Sequence, residues 1–386
     1  MATVIKGLEG VVAAETRLSN VDGLAGELTI AGFPVETLAP RASYEEVLHL
    51  LWRDALPTAG QLAELRSKML PQRTLPPGTL EIIKEAAAAR VHPMDALRMG
   101  CATLSIGDPA PDDSSFAANL DRAIKLAASF PTIVASFWRL KAGQTPVPPR
   151  DDLGHAANYL YMLTGQEPAP AAAGALETYL NTVVDHGLNA STFTARVIVS
   201  TQSDMVSAVT GAIGALKGPL HGGAPGPALD MVFEIGRPEK AEAYLKAKLA
   251  RGERLMGFGH RVYKVRDPRA EVLAQAADAL FARTGDRALY ELVQAVEKIA
   301  LRVLEEHKPG RNLQTNVEFY TALLLHGVGL EADIFSSTFA VGRVGGWTAH
   351  VLEQQRDNRL IRPASVYIGA FNRQWLPLES RSESAN

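Results

Sequence analysis

Val206-Ser207-Ala208-Val209-Thr210-Gly211-Ala212-Ile213-Gly214-Ala215-Leu216 is the stretch on which the fold class turns. Val206, Val209, Ile213 and Leu216 recur at helical spacing and so define one apolar face. Ala208, Gly211, Ala212 and Ala215 lie beside them, and such small side chains let another backbone come close. A central buried helix and a subunit interface both fit that composition. Leu62, Leu65 and Met69 repeat the helical spacing elsewhere. Hydrophobic residues make up 47% of the chain and aromatics only 6%, so the core is built from Ala, Leu and Val, which pack helices tightly. Helix punctuation agrees: Ser43 before Tyr44-Glu45-Glu46 reads as a cap with Glu at the third position, and Pro57 closes that segment. The exception is Thr16 to Ile30, where Asp22-Gly23 at the centre predicts a small N-terminal β-hairpin. The expected fold is therefore all-α with one hairpin, ending in a polar, frayed tail from Glu379 to Asn386.

At 386 residues the chain is too long for one compact core, and two domains are expected. A formal net charge of -3 offers no basic stripe for nucleic acid. No apolar run approaches the roughly 20 residues needed to cross a bilayer, so no membrane partner is expected. The start, Met1-Ala2-Thr3-Val4-Ile5-Lys6, has neither the regions of a signal peptide nor an Arg-rich transit pattern, which points to the cytoplasm. The single cysteine, Cys101, sits among Met99, Ala102 and Leu104 like a small core residue.

Candidate chemistry gathers in four segments: Asp185-His186-Gly187-Leu188-Asn189-Ala190-Ser191-Thr192, Gly218-Pro219-Leu220-His221-Gly222-Gly223, Gly257-Phe258-Gly259-His260-Arg261-Val262-Tyr263-Lys264 and Asn316-Val317-Glu318-Phe319-Tyr320. His221 precedes a double glycine, where a tight turn exposes the ring, and a nearby helix N-terminus would keep the imidazole neutral. Glycines around Phe258 suggest backbone approaching a ligand closely. Asp185 reads as the acid that fixes the tautomer of His186. A carboxylate on one segment and histidines on others supply a base and positioned donors without a metal or organic cofactor. Arg269, Arg343 and Arg362 are guanidinium forks suited to carboxylates, although any one arginine is more often a solvated surface charge. His49, His92, His155, His307, His326 and His350 lack such context and read as structural or surface residues.

In this order, with Asp267-Pro268-Arg269, Phe339-Ala340-Val341-Gly342-Arg343 and Ile361-Arg362-Pro363, these segments resemble the citrate synthase family. The similarity runs from Gly7-Leu8-Glu9-Gly10-Val11 to Arg362-Pro363. It implies a two-domain helical enzyme, residues 1–222 and 331–386 forming the large domain and 223–330 a smaller one that closes over substrate. The implied reaction condenses acetyl-CoA, a substrate rather than a cofactor, with oxaloacetate. Glu318 would be the base, His221 the donor to the thioester oxygen, and His260 the donor to the ketone. His186, Arg269 and Arg343 would hold oxaloacetate, with Arg362 supplied by the neighbouring subunit of a homodimer. Phe339 matches a substrate-pocket position. Lys264 would face CoA phosphates, and the Leu255 to Gly259 loop, including Gly257, Phe258 and Gly259, would meet the adenine. The resemblance also places the 206–216 region at the dimer interface.

Three departures stand out. The family usually has Asp where this chain has Glu318, which moves the carboxylate one methylene outward while leaving acidity almost unchanged. Leu313-Gln314-Thr315 replaces an aromatic-proline pair, and Pro225-Gly226 stands where many members have Asn-Glu. Three readings stay open: citrate synthase, 2-methylcitrate synthase acting on propionyl-CoA, and a binding protein that has lost turnover. Retention of all three histidines and three arginines argues against the last.

Overall fold

The structure is a computed structural model that describes residues 4–222, 225–284 and 287–381. Sixteen α-helices and one three-stranded sheet are found among these residues. The expected hairpin is present as β1 (Ser19–Asp22) and β2 (Glu27–Ile30), antiparallel with Asn20 opposite Thr29, and a short β3 (Phe33–Pro34) adds to its far edge. Asp22 holds the turn by accepting from the Leu24 and Ala25 amides at 2.9 and 2.8 Å.

The predicted cap is also present, since Ser43 and Glu46 form a reciprocal capping box on the helix Tyr44–Arg53. That helix stops earlier than Pro57, because Asp54 takes up a left-handed conformation (φ +64°) and ends the hydrogen-bond ladder. In Met205–Leu216 the predicted apolar positions are all buried. A Cβ at Gly211 would lie 2.2 Å from Ile198 Cδ1, so its small residues bring the backbone against the helix Ala190–Ser200. Cys101 is fully buried, and burial pushes its thiol up to about 12, as a core residue requires.

The helix Phe335–Arg356 runs through the centre, buried on all sides from Ala340 to Leu352. Gly342, Gly345 and Gly346 make this possible: a Cβ at each would come within 2.7, 2.6 and 2.2 Å of atoms at Val183, Leu48 and Val184. Arg343 therefore enters the core on a helix locked against the end of Pro170–Val183.

Of the glycine stretch after His221, Gly223 lies outside the described residues. Gly226 and Pro227 belong to a new helix, Pro225–Ile235, because proline is tolerated in a first turn where the amide would be unpaired anyway. Of the tail, Leu378–Ser380 forms a 3-10 turn, and residues 382–386 lie outside the described ones. By contacts the chain separates into a unit Thr16–Leu360 and a smaller unit of Met1–Glu15 with Ile361–Asn386. Among the described residues no helix is long and apolar enough to cross a membrane.

Candidate active site

His186 stands in the turn between the helices Pro170–Val183 and Ala190–Ser200, made possible by Gly187 at φ +58° and closed by Asn189, whose side chain caps the second helix. His221 sits in the turn that follows Met205–Leu216. Its Nε2 meets the N-terminus of Ala190–Ser200, where the Ser191 amide donates at 3.3 Å and Ser191 Oγ lies at 2.8 Å. A backbone N–H can only donate, so Nε2 carries the lone pair and the proton is on Nδ1. The helix N-terminus expected near His221 is present, supplied by the helix Ala190–Ser200. Trp347 Nε1 donates to Ser191 Oγ at 3.1 Å and fixes this serine from below.

His260 is fixed in the opposite sense. Its Nδ1 accepts from the amides of Val262 and Tyr263, both at 3.1 Å, so the proton is on Nε2. The Gly257–Gly259 loop pairs with residues 314–316: the Gly259 amide donates to the Gln314 carbonyl at 2.7 Å and the Asn316 amide to the Gly257 carbonyl at 3.0 Å. Asn316 Nδ2 also donates to the Gly259 carbonyl at 2.8 Å, while its Oδ1 caps the helix Val317–Gly327 by accepting from the Glu318 amide. One residue thus ties the His260 loop to the turn that carries Glu318.

The electrostatics follow from burial. His221 and His260 are both lowered to about 4, burial being the largest cause and the positive charge of Arg343 or Arg269 adding to it. Burial also drives His186 well below the ordinary histidine value, with Arg269 and Arg343 next. All three are neutral at pH 7. Glu318 goes the other way: burial raises it to about 7, against the pull of Arg269 and Arg343. A first-turn carboxylate is favoured in its charged form by the helix dipole, worth roughly 0.3–1 kcal/mol, and here desolvation outweighs it.

The two arginines differ. Arg269 is buried and gives Nε and one terminal nitrogen to Asp267 at 3.0 and 2.8 Å, and Asp267, fully buried, also takes the Val317 amide at 3.3 Å. Arg343 is just as buried, yet its Nε goes to the Val183 carbonyl at 2.6 Å and its guanidinium lies 4.6 Å from the centre of the Phe339 ring. Burial lowers it to about 10. A buried guanidinium held by a carbonyl and a ring, with no carboxylate in an ion pair among the described residues, is set to receive an anion.

These side chains share one cavity of about 780 Å³, lined by His186, His221, His260, Arg269, Glu318, Phe339 and Arg343 together with Gly257, Phe258 and Gly259. Lys264 is not in that lining; it is exposed, with Nζ on the Arg261 carbonyl at 3.2 Å. Arg362 belongs to the smaller unit and is exposed. Gly257 (φ +88°) serves packing as well as access, since a Cβ there would come 2.8 Å from Phe319 Cδ2. Among the described residues no group of three or more His, Cys, Asp or Glu could hold a metal ion.

The family profile described as "Citrate synthase, C-terminal domain" matches residues 7–364. The chain belongs to the citrate synthase family. It is 44% identical to "Citrate synthase 2" of Bacillus subtilis, over 98% of this chain and all of that one. It is 41% identical to the 2-methylcitrate synthase of Mycobacterium tuberculosis, over 94% and 90%. Among solved structures it is similar to the citrate synthase of Pyrobaculum aerophilum, with TM-score 0.89 and 40% identity over 98% of this chain and 95% of that one. The citrate synthase of Thermoplasma acidophilum, solved as a ternary complex with carboxymethyl coenzyme A and oxaloacetate, gives TM-score 0.89 at 29% identity, over 99% and 100%. As a member of the citrate synthase family the chain is an acyltransferase.

Several residues in the cavity lining or behind it were not foreseen. The Ser191 amide sets the tautomer of His221 and Trp347 holds the Ser191 hydroxyl, and only the Asn189-Ala190-Ser191-Thr192 segment hinted at the first. Arg254, Arg261, Lys308 and Arg311 line the outer part, and His307, read as a structural or surface residue, joins them. They come from two segments that meet only in the fold, so no local pattern marks them. The Leu313-Gln314-Thr315 departure is absorbed by packing: Leu313 lies under Gly259, and Thr315 Oγ1 donates to Glu297 Oε1 at 2.6 Å.

Proposed function

We propose that this chain is a citrate synthase that joins acetyl-CoA to oxaloacetate and water, giving citrate and CoA. The observation that carries the reading is the meeting of two buried guanidiniums, three neutral histidines and one proton-accepting carboxylate in a single cavity. Arg269, Arg343 and His186 hold the oxaloacetate carboxylates, and His260 donates Nε2–H to its ketone oxygen. Glu318 removes a proton from the thioester methyl while His221 donates Nδ1–H to the thioester oxygen, so the enol forms without a full negative charge. The enol carbon attacks the ketone carbon, and the ketone oxygen takes a proton from the His260 side. Water then cleaves the thioester, releasing CoA as thiol. Arg254, Arg261, Lys308 and Arg311, basic groups at the outer part of the cavity, suit the CoA phosphates better than Lys264 does.

We place the moving domain at residues 223–330, with closure excluding water from the enol. Gly329, at φ +87°, gives the return to the large domain a natural pivot. The working form is a cytoplasmic homodimer in which Arg362 completes the neighbouring site. Tyr367, Ile368, Phe371 and Trp375 of the smaller unit are 62, 95, 73 and 78% exposed, an apolar array that a second copy would cover.

The test is oxaloacetate-dependent release of CoA thiol with acetyl-CoA and propionyl-CoA side by side. A higher specificity constant for acetyl-CoA is expected. The 41% identity to a 2-methylcitrate synthase is the observation that supports a second reading, with propionyl-CoA as donor, and a reversed ratio would establish it. One methylene is typically discriminated by only about 10 to 200-fold. Oxaloacetate binding without thiol release from either donor would promote the turnover-free reading.

A further inference from the structure

A helical protein carries a small sheet at residues 19–34, and a fully buried acid, Asp185, stands beside His186. Neither has a part in the chemistry above. They belong to one device. Ser19 Oγ on β1 accepts the Gly187 amide at 2.8 Å and donates to Asp185 Oδ2, so the strand grips the turn of His186 on both sides of the histidine. Asp185 Oδ1 is held in turn by His350 Nε2 at 3.1 Å. Arg196 donates to His350 Nδ1 at 2.7 Å, which leaves the lone pair there and the proton on Nε2, directed at Asp185. Burial alone would raise the Asp185 carboxyl; His350, Arg343 and Ser19 together hold it below its usual range.

The other end of the hairpin touches the backbone just after His260. The Lys264 amide donates to the Gly23 carbonyl at 2.8 Å. A Cβ at Gly23 would lie 2.3 Å from the Val262 carbonyl oxygen, and one at Gly26 2.6 Å from Val265 Cγ2, so the turn sits directly on this backbone. The same backbone supplies the Val262 and Tyr263 amides that fix His260. Tyr263 OH lies 3.1 Å from His186 Nε2, and the two histidine rings are 5.8 Å apart, edge to face.

We propose that the β1–β2 hairpin is a positioning element for both substrate histidines, Ser19 setting His186 through Asp185 and Gly187, and the Asp22–Gly26 turn setting the backbone that carries His260. The inference rests on the oxaloacetate reading of the site. Ser19 is a positioning residue and touches no substrate.

The experiment compares full-length wild type with Ser19→Ala, Ser19→Thr and Gly23→Ala. It measures oxaloacetate affinity by calorimetry, KM for each substrate, kcat and Tm. Ser19→Ala should weaken oxaloacetate binding and raise its KM about tenfold, the scale of one hydrogen bond to a charged group, while KM for the thioester stays within about twofold. Ser19→Thr, which keeps the hydroxyl on a strand, should restore most of the loss. Gly23→Ala should also lower kcat, because it displaces the donors to His260. A lower Tm with unchanged oxaloacetate affinity in Ser19→Ala would overturn the proposal and reduce the hairpin to a stabilising element. So would a Thr variant no better than the Ala variant. Wild type that binds oxaloacetate but releases no thiol would sink the condensation reading, and the calorimetric comparison would still decide the hairpin's role.

Discussion

Glu318 is where this chain's chemistry is most its own. Proton abstraction by a carboxylate held near 7 is well matched to neutral pH, but only its ionised form can act. The specificity constant for thioester should therefore rise through about pH 7 and level off above it, a profile measurable by initial rates. Glu318→Gln should leave oxaloacetate affinity nearly intact and cut condensation by roughly 10² or more. Glu318→Asp reads the geometry: misplacement on the order of 1 Å is costly, so the shorter acid should lose rate in a backbone fitted to glutamate. A faster Asp variant would mean that the glutamate is strained. Stability carries the same signature with its sign fixed. The folded pKa lies above the unfolded one, so Glu318 favours folding at low pH, and that contribution is lost as pH rises toward about 7. Glu318→Gln should consequently have a higher Tm than wild type at pH 8, with the difference shrinking toward pH 5.

Elements position these groups chiefly through their ends. Glu318 stands in the first turn of one helix, His221 points at the first turn of another, and Asn189 and Asn316 cap both. The buried helix Phe335–Arg356 acts through its side instead, pressing three glycines on the segment that leads to His186. At Gly346 an added Cβ would meet the Val184 carbonyl oxygen at 2.2 Å, a backbone atom one residue from Asp185. Gly346→Ala should thus destabilise by about 1–3 kcal/mol, the usual scale of overpacking, and weaken oxaloacetate binding as well. Gly345→Ala first meets Leu48 Cδ2, at 2.6 Å, which can turn aside, and should cost less. Thermal melts with oxaloacetate titrations of the two variants check the order.

For the whole molecule the question is which chain supplies Arg362. If the neighbour does, mixing Glu318→Gln with Arg362→Ala protein under conditions of subunit exchange rebuilds one complete site per mixed dimer, and about a quarter of wild-type activity should return. If each site uses its own arginine, mixing returns nothing. Light scattering should give twice the 41.4 kDa subunit mass, and a mass of four subunits or more would revise the assembly.

The sequence by itself determined the helical class, the hairpin around Asp22-Gly23, the Ser43 capping box, the buried face of Met205–Leu216 and the segments that meet at the cavity. Each rests on local rules: apolar spacing, the chemistry of caps and turns, and residue types set at short intervals. What only the tertiary structure decided depends on atoms far apart in the chain. The tautomer of His221 follows from the Ser191 amide, and the grip on His186 from Ser19 and His350. The displacement of Lys264 from the cavity in favour of Arg254 and Lys308 arises where two loops meet. A hydrogen bond needs a partner at about 3 Å, and no local pattern records which distant residue the fold brings to that distance.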